Sequence, residues 1–159
     1  MRKTIFTTLF TLALALPALA QDTIKVNVSF INSDFSVDNR QGFSGEVDAK
    51  VLGKERFRIG GVFQFARHCS DCSPRFDTYS GGPQLSYDVF NKRISLFGRA
   101  LFGATTNYTG TRAFTRTYGG GADVNFGNFF VRPFALDFLR IEGVPMTVNR
   151  YSAGGGVRF

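Results

Sequence analysis

The final segment of the chain, Tyr151 to Phe159, alternates between apolar and polar residues and ends on an aromatic side chain. Side chains of a β-strand point in turn to opposite faces, so this segment predicts a strand with one apolar and one polar wall. Tyr151, Val157 and Phe159 lie on the apolar wall, whereas Arg158 lies on the polar one. A soluble domain has little reason to end on an exposed Phe, and the pattern therefore favours a strand that faces lipid.

The same alternation recurs along the chain, in segments near the roughly 9 to 11 residues that a membrane-spanning strand needs. The clearest is Gly42 to Leu52, where Phe43 and Val47 fall on one face while Glu46 and Asp48 fall on the other. The pattern predicts eight strands, at Thr23–Ile31, Gly42–Leu52, Arg56–Arg67, Phe76–Phe90, Ile94–Thr105, Arg116–Phe126, Phe129–Arg140 and Tyr151–Phe159. We therefore expect an all-β fold, an eight-stranded antiparallel up-and-down transmembrane β-barrel.

Two kinds of connection alternate between these strands. After the second, fourth and sixth strands the turns are tight, at Gly53–Glu55, Asn91–Arg93 and Gly127–Asn128. After the first, third, fifth and seventh strands they are longer and polar, at Asn32–Gln41, His68–Arg75, Thr106–Thr115 and Ile141–Thr147. Short periplasmic turns that alternate with longer external loops are typical of outer-membrane barrels.

The aromatic composition suits a wall that faces lipid. The chain has 19 Phe and no Trp, so Phe and Tyr would form the aromatic belts at the two membrane interfaces. We expect the periplasmic belt to contain Phe57, Phe126, Phe129 and Phe159, and the external belt to contain Phe30, Phe65, Phe102 and Tyr118.

The first residues have the pattern of a secretory signal peptide. Arg2 and Lys3 supply a basic start, Ile5 to Leu16 is apolar, and small residues precede a cleavage site after Ala20. The alternative is a membrane-anchoring helix, but the apolar run is shorter than the roughly 20 residues needed to span a bilayer. We expect residues 1–20 to be a cleaved signal and residues 21–159 to form the barrel domain.

Five motifs resemble a known family: Gly81–Pro83, Phe97–Gly103, Gly119–Asp123, Arg132–Arg140 and Ser152–Phe159. They are similar to the small outer membrane β-barrel, porin-like family of OmpA and OmpX type. The resemblance implies an eight-stranded barrel in the bacterial outer membrane. It also implies that Tyr151, Val157 and Phe159 form the C-terminal signal read by the barrel-assembly machinery. These motifs are structural and imply no activity.

The face predicted to line the barrel interior carries acids and bases in nearly equal number. These residues are Lys25, Glu46, Asp48, Lys50, Arg58, Asp88, Arg99, Asp123, Asp137, Arg150 and Arg158. Because an eight-stranded barrel is just wide enough to be filled by side chains, we interpret them as a plug of paired charges. The alternative is an ion or proton path through the interior. Arg132 falls on the predicted lipid face, where it would either reach the headgroups or turn inward at a bulge made by Pro133.

The second external loop holds the clearest cluster of reactive side chains. A local disulfide between Cys69 and Cys72 is the expectation in an oxidising compartment. Redox activity, or zinc binding with His68 and Asp71, are the alternatives. His68 and Ser70 also have the spacing used by a lipid deacylase on this kind of barrel, but they lie in a loop and no carboxylate beyond Asp71 is evident to orient the histidine.

The sequence thus favours a structural or surface-interaction role for the loops, with no enzymatic activity and no cofactor. The expected partners are outer-membrane lipids, the barrel-assembly machinery and an extracellular ligand. Nucleic acid is excluded because the chain is exported and its basic residues, despite a net charge of +7, are spread singly. A lipid A-modifying enzyme, a narrow pore for small solutes and a soluble lipocalin-like barrel remain as alternatives.

Overall fold

A computed structural model describes residues 24–34, 39–54, 56–69, 76–106, 111–143 and 147–159, without the side chains of Lys54 and Cys69. They form a closed barrel in which each strand pairs with its neighbours in the chain. The strands are β1 (Ile24–Asp34), β2 (Asn39–Lys54), β3 (Phe57–Cys69), β4 (Phe76–Val89), β5 (Ile94–Thr106), β6 (Arg112–Phe126), β7 (Phe129–Ile141) and β8 (Thr147–Arg158). The predicted fold class is confirmed. The predicted signal peptide lies outside the described residues.

The barrel closes between its first and last strands. β1 and β8 pair in antiparallel register from Lys25 opposite Arg158 to Asp34 opposite Asn149. At the periplasmic end the Phe159 amide donates to the Ile24 carbonyl at 2.8 Å. No strand is left with an unpaired edge among the described residues, which is what a lipid environment requires of a β-structure. In the same part of the chain, no helix is long and apolar enough to cross a membrane.

The two walls of the barrel have the polarity predicted from the alternation. Large apolar side chains cover the outside, among them Val28, Phe63 and Leu85, whereas Glu46 and Arg99 are buried inside. All eight residues predicted for the aromatic belts lie on the outer wall, with Phe65 half-buried and the other seven exposed. A soluble barrel has the opposite polarity, so the lipocalin-like alternative does not fit.

Several strands extend further toward the external loops than the alternation predicts. β2, β6 and β8 begin three or four residues earlier than expected, at Asn39, Arg112 and Thr147. Backbone pairing continues there, for example between Asp34 and Asn39. Beyond the hydrocarbon layer neither wall needs apolar residues. The alternation of apolar and polar residues therefore disappears there, although the strands stay hydrogen-bonded to each other.

A β-bulge in β7 decides the orientation of Arg132. Arg132 pairs with Gly154 and Ala135 with Ser152, so Pro133 and Phe134 together face one residue of β8. Both bulge residues point outward, and Arg132 is buried inside the barrel at 2% exposure. Proline cannot donate to a ladder, and a bulge is one of the positions where a sheet accepts it. Of the two orientations left open by the sequence, the inward one is observed.

Candidate functional site

A network of ion pairs crosses the middle of the barrel interior, with Glu46 of β2 at its centre. One carboxylate oxygen of Glu46 accepts a hydrogen bond from Arg132 Nη1 at 2.9 Å, and the other accepts one from Arg99 Nη1. The three side chains are at most 2% exposed. Because Arg99 lies on β5 and Arg132 on β7, these contacts link β2 to the opposite wall of the barrel.

The network extends from each arginine to a further carboxylate. Arg99 donates to both carboxylate oxygens of Asp137, at 3.0 and 2.8 Å. Asp137 also accepts from Arg150 Nη2 at 2.8 Å, and Arg150 is fully buried. The geometry is bidentate, which is the strongest arrangement for a guanidinium and a carboxylate.

The second arm runs from Arg132 to β6 and β1. Arg132 Nε donates to Asp123 Oδ1 at 2.8 Å, and Lys25 Nζ lies 3.1 Å from the other oxygen of Asp123. The Arg132 guanidinium also lies 4.2 Å from the centre of the Phe97 ring, a cation–π contact. With Gln64 bonded to both Glu46 and Arg150, the network connects seven of the eight strands, β4 excepted.

A glycine makes room for the Arg99–Asp137 pair. Gly119 on β6 stands directly between these residues in the sheet, pairing with Arg99 on one side and with Asp137 on the other. A Cβ atom at Gly119 would overlap the Asp137 carboxylate and the backbone of β7. The absence of a side chain therefore lets the arginine reach across a whole strand.

Mutual pairing explains how so many charges are tolerated inside the barrel. The network contains four cations (Lys25, Arg99, Arg132 and Arg150) and three carboxylates (Glu46, Asp123 and Asp137). An isolated buried charge costs several kcal/mol in lost hydration, and only opposite charges with good hydrogen bonds offset that cost. Each member here has at least one such partner.

A smaller cluster occupies the interior nearer the periplasmic turns. Arg58 Nη2 and Ser95 Oγ each lie 2.6 Å from Asp88 Oδ1. Asn125 donates to Ser95 at 2.8 Å and to the Lys92 carbonyl at 2.7 Å. This cluster joins β3, β4, β5 and β6 below the central network.

The other residues predicted for the interior lie outside both clusters. Asp48 accepts from Gln84 Nε2 at 2.6 Å, which ties β2 to β4. Arg158 donates to the Gly127 carbonyl at 2.6 Å near the periplasmic rim. Lys50 is half-buried on β2 and belongs to neither cluster. Arg132 is the one residue of the central network that the alternation assigned to the lipid face. The neighbouring Pro133 was the sequence feature that could have indicated a bulge and an inward side chain.

The external half of the interior holds an apolar group beside buried polar side chains such as Ser33, Thr78 and Thr115. Leu139, Ile141 and Val148 form a buried group against which Phe76 and Ala113 pack. His68 lies in the same half of the barrel, fully buried, with its Nε2 2.8 Å from Ser33 Oγ. The side chain of His68 thus points into the barrel rather than toward lipid or the loop surface.

The chemistry predicted for the second loop falls mostly outside the described residues. Ser70, Asp71 and Cys72 belong to the part that is not described, and Cys69 is described only as the last backbone position of β3. Within the described ranges, no group of three or more His, Cys, Asp or Glu side chains could hold a metal ion. The disulfide between Cys69 and Cys72 stays a prediction.

Comparisons with known proteins identify the fold. No protein-family model matches the chain, and no curated protein sequence matches it either. Among solved structures, Neisserial surface protein A is similar with a TM-score of 0.58 at 15% identity, covering 86% of this chain and 96% of that one. Ail, the attachment invasion locus protein of Yersinia pestis, matches with a TM-score of 0.58 at 19% identity, covering 86% and 97%.

A third solved structure of the same fold is an enzyme. The outer membrane enzyme PagL matches with a TM-score of 0.53 at 16% identity, over 85% of this chain and 99% of that one. At these identities the likeness concerns the fold, since one barrel architecture serves both enzymes and non-enzymes. The chain therefore has the fold of the small eight-stranded outer-membrane β-barrels.

Proposed function

We propose that the protein is an integral, non-enzymatic protein of the bacterial outer membrane that acts through its external loops. Its signal would be residues 1–20, and residues 21–159 would insert as the barrel. The observation that carries the proposal is the buried ion-pair network, because it fills the interior with charges that are already paired with one another. An interior built in this way supports the wall of the barrel and leaves the loops as the part that meets other molecules.

The network argues against the narrow pore. A conducting path needs water and free charges along the axis, whereas Glu46, Arg99 and Arg132 hold one another across the interior. The apolar group of Leu139, Ile141 and Val148 adds a second obstacle toward the external end. Hydrophobic constrictions exclude water, so ions would meet two barriers in series.

Burial of His68 argues against a PagL-like lipid-modifying activity. A catalytic histidine must reach both its substrate and its nucleophile. The His68 ring instead contacts Ser33 on β1 and packs against Phe76, with 5.5 Å between ring centres. An acyl chain in the membrane touches the outer wall, and His68 is on the inner one.

The expected partners follow from the two ends and the wall of the barrel. Lipids would contact the apolar outer wall, and an extracellular ligand would bind the loops. The barrel-assembly machinery would read the last strand, where Tyr151 and Phe159 are exposed on the outer wall and Val157 lies between them, half-buried. Ail was solved in complex with the heparin analogue sucrose octasulfate, an example of a ligand for a barrel of this fold.

Three measurements on one preparation test the proposal. Protein extracted from outer membranes should shift on gels after boiling, should give no steady conductance in planar bilayers, and should leave the mass of lipid A unchanged on expression. The matched control is the Glu46→Ala and Arg132→Ala double variant, which removes one charge of each sign from the centre of the network and should conduct more than the native protein.

Each alternative has its own signature in these assays. Steady conductance of the native protein would establish the pore. A change in lipid A mass that His68→Ala abolishes would establish the enzyme. Recovery of the native protein in the soluble periplasmic fraction, without a gel shift, would refute membrane insertion altogether.

A further inference from the structure

Two arginines face each other on the outer wall of the barrel. Arg116 of β6 and Arg140 of β7 occupy directly opposite positions in the antiparallel register, and both side chains are exposed. Side chains at opposite positions on one face have Cβ atoms roughly 5 Å apart, so two positive charges are held close together. Such a like-charge pair is destabilising in the barrel alone.

The aromatic belt places this pair at the level of the lipid headgroups. Two residues closer to the periplasm on the same face, Tyr118 lies opposite Phe138. Tyr118 also packs edge-on against Phe102, with 6.4 Å between the ring centres. Aromatic belts mark the boundary between the hydrocarbon layer and the headgroups. Arg116 and Arg140 come next on the loop side of Tyr118 and Phe138, and Phe114 follows on β6 with its ring centre 5.6 Å from the Arg116 guanidinium. At the level of an aromatic belt an arginine on the outer wall costs little.

The pair has no carboxylate partner in the described part of the chain, in contrast to an equivalent arginine elsewhere on the wall. Arg67 of β3 lies beside Phe43 and the belt residue Phe65 and is held by both oxygens of Asp77, at 2.9 and 3.2 Å. Neither Arg116 nor Arg140 forms an ion pair with a described residue. Glu142, two residues after Arg140 in the chain, is exposed and makes no such contact.

We propose that Arg116 and Arg140 together bind a phosphate group on the headgroup of an outer-leaflet lipid. Arginine binds phosphate with paired, charge-assisted hydrogen bonds, and one phosphate between the two guanidinium groups would turn their repulsion into attraction. The inference rests on the proposed function, since it needs the barrel to be inserted in the outer membrane.

Charge distribution favours a lipid over a soluble polyanion as the occupant. The loop segments 35–38, 70–75, 107–111 and 142–146 together contain one basic residue, Arg75, and three acids, Asp38, Asp71 and Glu142. A long soluble polyanion would need basic loops, whereas the uncompensated positive charge lies on the wall at membrane level. Arg112, exposed two positions beyond Phe114 on β6, extends the basic surface outward along the same wall.

Native mass spectrometry of the full barrel in zwitterionic detergent tests the proposal directly. Lipid A carrying both phosphates is titrated into the native protein, the single variants Arg116→Gln and Arg140→Gln, and the double variant. At roughly fivefold per arginine near a membrane surface, the double variant should lose about 25-fold in affinity. The charge-matched control, Lys92→Gln with Arg93→Gln in a periplasmic turn, should bind as the native protein does.

The urea midpoint of unfolding gives a second readout, because the effect of Arg140→Gln on it should change sign when lipid A is added. In micelles of a detergent without phosphate groups, Arg140→Gln should leave the urea midpoint unchanged or raise it, because it removes the repulsion. In the same micelles with lipid A added it should lower the midpoint, because the phosphate loses a partner. The control variant should show no such inversion.

Three results would overturn the inference. They are equal binding of lipid A by the native and double-variant proteins, equal binding of lipid A stripped of its phosphates, and binding of inorganic phosphate that is as tight as binding of lipid A. Failure of the proposed function is seen separately, because a protein that conducts, modifies lipid A or lacks the gel shift is detected before the titration.

Discussion

Replacing Glu46 by Gln should be among the most destabilising single changes in the barrel interior. Glu46 bridges Arg99 and Arg132, and both contacts are buried. The substitution keeps the size of the side chain and removes its charge, so four buried cations remain with two carboxylates. Breaking a buried ion pair from one side costs about 3 to 5 kcal/mol, because the remaining charge is left without compensation.

Removing one of the facing charges should restore part of that loss. Arg132→Met deletes a cation and keeps an apolar side chain against the Phe97 ring, which lies 4.2 Å from the native guanidinium. In the Glu46→Gln and Arg132→Met double variant three cations face two carboxylates, with Lys25 still paired to Asp123. We expect the double variant to be more stable than Glu46→Gln, and its loss to be smaller than the sum of the two single losses by about 2 to 3 kcal/mol, within the usual range of coupling between contacting residues.

Reversible urea unfolding in phospholipid vesicles provides the assay, since the midpoint and its slope yield the free energy of unfolding. Glu142→Gln is the matched control, because it makes the same chemical change at an exposed carboxylate and should stay within about 0.5 kcal/mol of the native protein. A loss below about 1 kcal/mol for Glu46→Gln, or strict additivity in the double variant, would refute the claim that paired charges hold the interior together.

Three further outcomes test the walls and the loop. Val47 lies on the outer wall at mid-strand, where its side chain is 45% exposed. In the same unfolding assay, Val47→Arg should lower the free energy of unfolding by about 2 to 4 kcal/mol, whereas Val51→Arg near the periplasmic end should lower it by only about 0 to 1 kcal/mol. Equal penalties would mean that Val47 does not lie at the bilayer midplane. Gly119→Ala should cost about 1 to 3 kcal/mol, since its methyl group overlaps Asp137, and Gly98→Ala, with open space, should cost less. Mass spectrometry of the unreduced protein should find no free thiol at Cys69 and Cys72, and replacing both by Ser should leave the barrel folded, because so short a ring stabilises little.

The alternation of residues predicts the walls well because a single physical rule governs them. Side chains change face at every residue, and lipid outside with a narrow interior leaves few acceptable side chains on either wall. Glu46 and Val47 therefore reveal their faces by their chemistry alone. Strand ends beyond the lipid carry no such constraint. The strands that begin at Asn39 and Thr147 were therefore predicted to begin three or four residues further along the chain.

The pairing of the interior charges depends on information that alternation does not contain. Which acid meets which base is set by the stagger between strands and by contacts across the barrel axis, between residues as distant in the chain as Glu46 and Arg132. Gly119 was visible as part of a glycine run, but its role as the gap between Arg99 and Asp137 needs the register of three strands.

Pro133 shows how one residue can reverse the face predicted for a neighbouring side chain. Counting in steps of two back from Phe138 and Phe134 puts Arg132 among the lipid-facing residues, and the count is right for every residue from Phe134 onward. The bulge inserts one extra position, so Arg132 turns inward and Asp123 and Glu46 gain the guanidinium that links them. Without that residue the network would divide, with Lys25 and Asp123 separated from the Glu46–Arg99–Asp137–Arg150 branch. The bulge is thus as much a part of the network as the charges, since it places a cation where regular pairing would have put one in lipid.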